Sequence, residues 1–214
     1  METNSWVQIP FRNHFASPLQ SLLGVAACIP GILERVDMSM NGPYTASVEI
    51  ARDRITELID SKAGLQAWHS SYLKSSSTPL YWRRRTEAEV EKNVDLWWFR
   101  DLSTANVFIY FWAFQIICLI DIHSLFEKYP EVEQLVHNPA FDANGLRQIC
   151  LELSVKIYQS MEYILQDDFM LYGVSSACFP LQIACGALDL DERGRAIFKS
   201  LDHTIISRSK IRNT

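Results

Sequence analysis

The most apolar stretch of the chain runs from Val107 to Ile120, where every residue except Gln115 is apolar or aromatic. A helix with this pattern is apolar on all sides, so it has to be surrounded by other parts of the fold. A bilayer crossing needs about 20 such residues, and Asp101 and Asp121 bound this run at its two ends. The pattern predicts a central, aromatic-rich buried helix over about 102–128 and no membrane span.

Other segments show the periodicity of helices that pack around a centre. Residues 46–62 carry an apolar stripe beside a charged one, and residues 146–164 repeat apolar positions with a period of 3.6. Residues 173–188 are rich in small residues and contain Pro180, which predicts a closely packed, kinked helix. An amphipathic pattern over 191–206 predicts the last helix.

Three regions interrupt the helical patterns. Residues 1–17 predict an irregular arm, and Phe15 is one of three aromatic residues expected to pin it to the body. The serine-rich residues from Ser70 to Pro79 predict a flexible loop over 70–82. Three arginines at 83–85 precede several acidic residues, which favours a solvated helix start.

Alternating runs typical of strands and internal repeats are both missing from the sequence. The fold class predicted is therefore all-α, a single-domain helical bundle over residues 1–214.

Charge and cysteine usage exclude several classes of function. The net charge of -5 opposes nucleic-acid binding, because such proteins present a concentrated basic face. The five cysteines are scattered among apolar neighbours without metal-binding spacing, so buried thiols and no metal site are expected. Nucleotide-binding, esterase and zincin motifs are absent, so no cofactor is expected. The N-terminus does not have the pattern of a secretory signal, which favours an intracellular, cytoplasmic protein.

Polar residues within the central helix are the first candidates for a site. Asn106, Tyr110 and Gln115 lie in a helix that should be buried all round, so each needs a partner. A hydrogen bond to another helix and a contact with a ligand both meet that need. The aromatic residues Trp98, Trp112 and Phe114 form either core or the walls of a cavity for an apolar ligand.

A carboxylate beside such a cavity would have its ionisation disfavoured and could act as a general acid. Asp101 is the first candidate, with Tyr110 beside it and Asp168 and Tyr172 from the facing helix end. The alternative is that Asp101 caps the central helix, since it directly precedes its first turn.

Asp121 and His123 look like a catalytic pair, but side chains two positions apart on a helix do not face each other. His123 lies one turn before Glu127, and the pattern favours a solvated histidine at the helix end.

Three stretches carry a family resemblance: LWWFRDLSTANVFIYFWAFQIICLIDIHSL, ICLELSVKIYQSMEYILQDDFMLYG and FPLQIACGAL, together with the pattern from Ile29 to Glu34. This texture resembles the C-terminal half of the helical regulatory region of fungal zinc-cluster transcription factors. That family carries a six-cysteine binuclear zinc cluster with a basic linker at its N-terminus. This sequence has neither, so direct binding to nucleic acid is not expected.

Two functions follow from the resemblance. In the first, a stand-alone domain binds a hydrophobic small molecule and acts as a cofactor-independent cyclase or isomerase in fungal specialised metabolism. Such chemistry needs mainly shape, exclusion of water and one or two polar groups. In the second, the chain is a non-catalytic regulator or co-regulator, which would be nuclear and would form a homodimer or pair with a transcription factor. The first is favoured, because the chain starts at Met1 and has no DNA-reading part.

Overall fold

The computed structural model describes residues 15–41, 47–84, 95–135, 143–189 and 195. The helices are α1 (Pro18–Ala26), α2 (Ile29–Asn41), α3 (Val48–Ser75), α4 (Leu102–Lys128), α5 (Pro130–Leu135), α6 (Ala143–Ile164) and α7 (Met170–Asp189). Two short strands, β1 (Tyr81–Arg84) and β2 (Leu96–Phe99), form an antiparallel pair, and a 3-10 turn (Asp167–Phe169) joins α6 to α7. The predicted all-α class is confirmed. The helix predicted over 191–206 lies outside the described residues, apart from Arg195.

The predicted central helix is confirmed as α4, which packs against α3, α6 and α7. Most of its large side chains are buried, and Phe108, Ile109 and Ile116 have no exposed surface, whereas one stripe with Tyr110 and Phe114 is half-buried. The helix begins directly after Asp101, whose side chain accepts a hydrogen bond from the backbone N–H of Thr104 at 2.7 Å. A capping carboxylate satisfies one of the backbone donors that the first turn leaves unpaired, so it fixes where α4 starts.

The flexible loop predicted over 70–82 is wrong for its first six residues, because α3 continues to Ser75, and for its last two, which lie on β1. The extra turns are held by packing. Leu65 is fully buried, Trp68 stacks on Tyr72 with ring centroids 5.3 Å apart, and His69 stacks on Phe111 at 4.4 Å. These contacts outweigh the weak helix preference of the serine-rich sequence.

The strand pair was not predicted, because the sequence has no alternating runs typical of strands. Its register pairs Tyr81 with Phe99 and Arg83 with Trp97. Leu96, Trp97 and Phe99 are all buried, so β2 lacks the alternation of exposed and buried positions that identifies most strands in sequence. Aromatic residues suit strands, and this pair closes one end of the core.

The solvated helix start expected at the arginines is wrong, since Arg83 and Arg84 lie on β1. Their guanidinium groups lie over the rings of Trp97 and Trp98, 5.1 Å and 4.5 Å from the ring centroids. Arg83 also pairs with Asp95 at 3.0 Å. Arg85 lies outside the described residues.

The connection from α6 to α7 is tight. A Cβ atom on Gly173 would lie 2.2 Å from the carbonyl oxygen of Ile164, so only glycine allows α7 to begin against the end of α6. Asp167 and Asp168 follow the end of α6 and begin the 3-10 turn that leads into α7.

At the other end of the described chain, Phe15 is fully exposed. The expectation that Phe15 pins the N-terminal arm to the body is wrong. The two other aromatic residues of that arm lie outside the described residues.

Candidate functional site

Asp101 is placed as a cap and not as a general acid. Partial burial works against its ionisation, but hydrogen bonds from Thr104 and Arg100 outweigh it, so the pKa of Asp101 is lowered. Arg100 Nε donates to the carboxylate at 3.0 Å. A general acid needs a raised pKa, and this carboxyl group has the opposite shift. Asp168 lies exposed on the turn before α7.

The predicted wall residues Trp98 and Trp112 each pack against other aromatic side chains. Trp98 packs edge-on against Tyr163 at 5.5 Å, and Trp112 lies 5.8 Å from Phe108. Phe108 in turn contacts Tyr81, with ring centroids 4.5 Å apart. Since Trp98 and Trp112 have different neighbours, the predicted residues do not converge on one site.

The two buried amides differ in whether they have a hydrogen-bond partner. Gln115 Nε2 donates to the backbone carbonyl of Lys62 on α3 at 3.3 Å, which is the helix-to-helix hydrogen bond. Asn106 is also buried, and its Oδ1 has no hydrogen-bond partner within the part of the chain that the structure describes.

A different group of predicted residues does come together, at the contact between α4 and α7. The rings of Tyr110 and Phe114 lie 5.6 Å and 6.0 Å from that of Phe179. Burial raises the pKa of Tyr110, and Cys178 and Tyr172 add to the shift. These residues lie at the edge of the exposed side of α7.

A small cavity lies between the end of α4 and the start of α6. Its volume is about 110 Å³. The lining comprises Ile120, His123, Ser124, Glu127, Leu146, Arg147, Cys150, Leu151 and Ala187. Drug-sized ligands occupy cavities of roughly 300–1,000 Å³, so this one suits only a group of a few atoms.

Within this cavity a hydrogen bond from Arg147 fixes the protonation state and the tautomer of His123. Arg147 Nε donates to His123 Nε2 at 2.8 Å, and Arg147 Nη2 donates to Glu127 at 3.1 Å. Burial lowers the pKa of His123, and Arg147 lowers it further against the opposite effect of Glu127 and Glu133. A neutral histidine that accepts at Nε2 carries its proton on Nδ1, which lies 3.7 Å from Glu127.

The expectation of a solvated histidine is therefore wrong, since the His123 side chain is 13% exposed. The spacing of His123 and Glu127 on one helix was visible in the sequence, but Arg147 comes from α6 and no local pattern connects it to them. Cys150 lines the same cavity, and burial raises the pKa of its thiol to about 12. The thiol is therefore protonated at neutral pH and is a poor nucleophile.

A more open groove of about 400 Å³ runs between the strand pair and α6. Arg83, Asp95, Glu152 and Lys156 give it both signs of charge, and Trp97 is part of its lining. None of the nine predicted site residues lines either this groove or the smaller cavity, as far as the described residues show.

The largest departure from an ordinary surface is on α7. Its buried positions are mostly small residues: Gly173, Ala177, Pro180, Ala184, Ala187 and Leu188. Its exposed side holds larger apolar residues, which we call the α7 face: Leu171, Tyr172, Val174, Cys178 and Phe179. Leu171, Tyr172 and Val174 are 76%, 67% and 48% exposed. A helix whose outer side meets only water buries its large apolar residues, whereas α7 buries mostly small residues and exposes large apolar ones.

Three helical segments of the described chain are long and apolar enough to cross a membrane by length and composition. They are Pro18–Asn41, Leu102–Lys128 and Asp167–Asp189. In the second, 72% of the most apolar window is buried inside the fold, against 28% and 33% in the others. Among the described residues, no group of three or more histidine, cysteine, aspartate or glutamate side chains could hold a metal ion.

Comparisons of the chain with protein-family profiles, with curated proteins and with solved structures gave no match.

Proposed function

We propose that this chain is a non-catalytic regulatory domain that acts by binding a second helical domain of the same type. This is the regulator expected from the resemblance to fungal zinc-cluster transcription factors. A regulator of this kind would act inside the cell, with its partner supplying any contact to DNA. The observation that carries the proposal is the distribution of large apolar side chains between the core and the α7 face.

In the core, the aromatic side chains that a substrate cavity would need are already used for packing. Phe108 is fully buried and contacts Tyr81, Phe99 and Trp112, with ring centroids between 4.5 and 6.0 Å apart. Rings at these distances gain packing energy from each other and exclude a ligand of similar size. This arrangement supports a structural role for the aromatic residues over a catalytic one.

On the surface, α3 and α7 differ in what they present to solvent. The exposed positions of α3 include Glu49, Arg52, Asp53 and Asp60, which is the composition of an ordinary outer helix face. From Met170 to Leu188, by contrast, the sequence of α7 has no charged residue at all. Contiguous exposed apolar area of this kind marks contact surfaces in soluble proteins.

The proposal is tested in a strain that lacks the gene and is complemented with variants of the chain. A Leu171→Lys copy should fail to restore the transcript levels that the wild-type copy restores, because it places a charge in the α7 face. Met38→Lys is the matched control, since Met38 is also an exposed apolar residue on a helix. Equal transcript profiles with the wild-type, Leu171→Lys and empty complements would contradict the proposal.

A cofactor-independent cyclase or isomerase is the second candidate function, and the His123 cavity favours it. His123 lies between Arg147 and Glu127 and would take part in proton transfer once a substrate displaces the Arg147 N–H from His123 Nε2. In the same strains a His123→Gln copy would then lose one small-molecule product while transcripts stay at the wild-type level. Loss of transcripts with unchanged chemistry in the Leu171→Lys strain would exclude this second function.

A further inference from the structure

We infer that the α7 face is a two-fold contact between two copies of this chain, with the two α7 helices packed antiparallel. This inference rests on the proposed role of the α7 face in protein binding and names the partner. The chain carries a net charge of -5, so most surfaces of two copies repel each other, but α7 has no charged residue before Asp189. A self-complementary interface needs a patch that can meet its own copy without repulsion.

The exposed side chains of α7 change in size along the helix. The large exposed residues Leu171, Tyr172 and Val174 lie in the first half of α7, whereas the exposed positions of the second half include Gln182 and Gly186. A Cβ atom added to Gly186 would meet nothing within 4 Å, so the space above it is open. An antiparallel pair centred near Cys178 would set Leu171 of one copy over Gly186 of the other. Large exposed residues at the start of one helix then lie near the open space at Gly186 of the other.

Antiparallel pairing also places opposite ends of the two helix dipoles side by side, which is the favourable arrangement. A parallel pair would instead set Leu171 against Leu171 and leave the open space at Gly186 unfilled. Shape and dipole therefore favour the same orientation.

The size of the face sets the strength of the contact. With aromatic side chains contributing about 150–250 Å² each and the aliphatic ones somewhat less, the exposed parts of the α7 face add up to roughly 500 Å² per copy. A pair would bury roughly 1,000 Å², which is the lower end for specific interfaces. We expect a reversible dimer with a dissociation constant on the order of 10 µM.

Sedimentation velocity of the full chain between 1 and 300 µM tests the inference. The wild-type chain should shift from monomer to dimer over this range, Leu171→Lys should stay monomeric at least tenfold higher in concentration, and Met38→Lys should behave as the wild type. A chain that is monomeric at 300 µM would overturn the inference. So would a dimer that Leu171→Lys and Met38→Lys affect equally.

Cross-linking tests the antiparallel register. In a Cys28→Ser, Cys178→Ser background, which removes the two exposed cysteines, a Leu171→Cys chain is mixed with a Gly186→Cys chain and treated with a short bismaleimide. Mixed products should dominate, whereas a parallel pair would give like-with-like products. Intramolecular products between position 171 and the segment 190–214 would show that the chain covers its own face, and would overturn the inference.

Binding to a membrane is distinguished in the same samples. Co-sedimentation of the wild-type chain with phosphatidylcholine vesicles, lost in Leu171→Lys, without any dimer in solution would overturn the two-fold contact. A monomeric chain whose Leu171→Lys copy still fails to restore transcripts would end the two-fold contact and leave the proposed function standing. A dimer in solution without any effect of Leu171→Lys on transcripts would support the two-fold contact and contradict the proposed function.

Discussion

α4 and α7 are both strongly apolar helices, and they use their apolar residues in opposite ways. α4 turns Phe108, Ile109 and Ile116 into the core and is covered over most of its surface. α7 turns small residues such as Ala177 and Ala184 toward the body and leaves larger ones outside. Apolar content alone therefore does not tell a core helix from a contact helix. The positions of the large side chains around the helix distinguish a core helix from a contact helix. When the side facing the body carries mainly small residues, the larger residues are not used for packing within the fold.

The largest effect is expected in the core. Phe108→Ala should lower the free energy of unfolding by about 3–5 kcal/mol, because it removes a fully buried ring and leaves a cavity. Urea unfolding followed by circular dichroism measures it. A loss below about 1 kcal/mol would show that the aromatic residues around α4 have room to relax, which would reopen the possibility of a ligand cavity there.

A glycine pair on α7 tests which side of that helix is inward. Gly173→Ala should destabilise the fold by about 2–3 kcal/mol, because its Cβ would lie 2.2 Å from the carbonyl oxygen of Ile164. Gly186→Ala meets nothing within 4 Å and should stabilise the helix by about 0.5–1 kcal/mol. Thermal unfolding of the two variants, compared at low protein concentration, checks both signs. Equal melting temperatures would contradict the orientation of α7.

The same two helices show what the sequence could predict. α4 was predictable with its bounds, because every residue from Val107 to Ile120 except Gln115 is apolar or aromatic, and such a helix has to be buried in a folded domain. The close packing of α7 was also predictable from its small residues. The exposure of its outer face was not predictable. The sequence does not show whether Leu171 and Val174 face the core or the solvent until the position of α6 is known.

The remaining misses have a common physical cause. The extension of α3 depends on contacts of Trp68 and His69 with Phe111, which is far away in sequence, and β2 is buried without alternation. In the His123 cavity the decisive partner, Arg147, is supplied by another helix. Contacts of this kind between distant segments leave no local pattern.

A half-buried carboxyl group on α4 gives a pH-dependent prediction. Burial, and then the charge of Asp37, raise the pKa of Asp121 from 3.8 to about 6. The folded state therefore holds a proton that the unfolded chain releases, and this contribution to stability is complete below pH 3.8 and is lost as the pH rises through about 6.

Asp121→Asn should therefore raise the free energy of unfolding at pH 7.5 by about 1–3 kcal/mol and change it little at pH 4. Urea unfolding at the two pH values measures it. Asp60→Asn on the exposed side of α3 is the control for removing one negative charge. An Asp121→Asn variant that is equally stable at both pH values, relative to this control, would show that Asp121 is solvated.

At the start of α4, Asp101→Ala should lower stability by about 1 kcal/mol, because the first turn loses its cap, whereas Asp101→Asn keeps a capping oxygen and should cost less. The pKa of Asp101 is lowered on folding. Its contribution is therefore present above the unfolded pKa and is lost as the pH falls through the folded value. Unfolding curves between pH 2 and pH 7 measure this. A cost of Asp101→Ala that grows as the pH falls would be the wrong sign for a cap.

The outward orientation of the large α7 side chains is tested most directly by a triple variant, Leu171→Gln, Tyr172→Gln and Val174→Gln. At 1 µM, where the chain should be monomeric, its free energy of unfolding should differ from that of the wild-type chain by no more than about 1 kcal/mol, as for other exposed positions. A loss of about 3 kcal/mol or more would show that these side chains are packed within the folded chain and are not free to bind a partner.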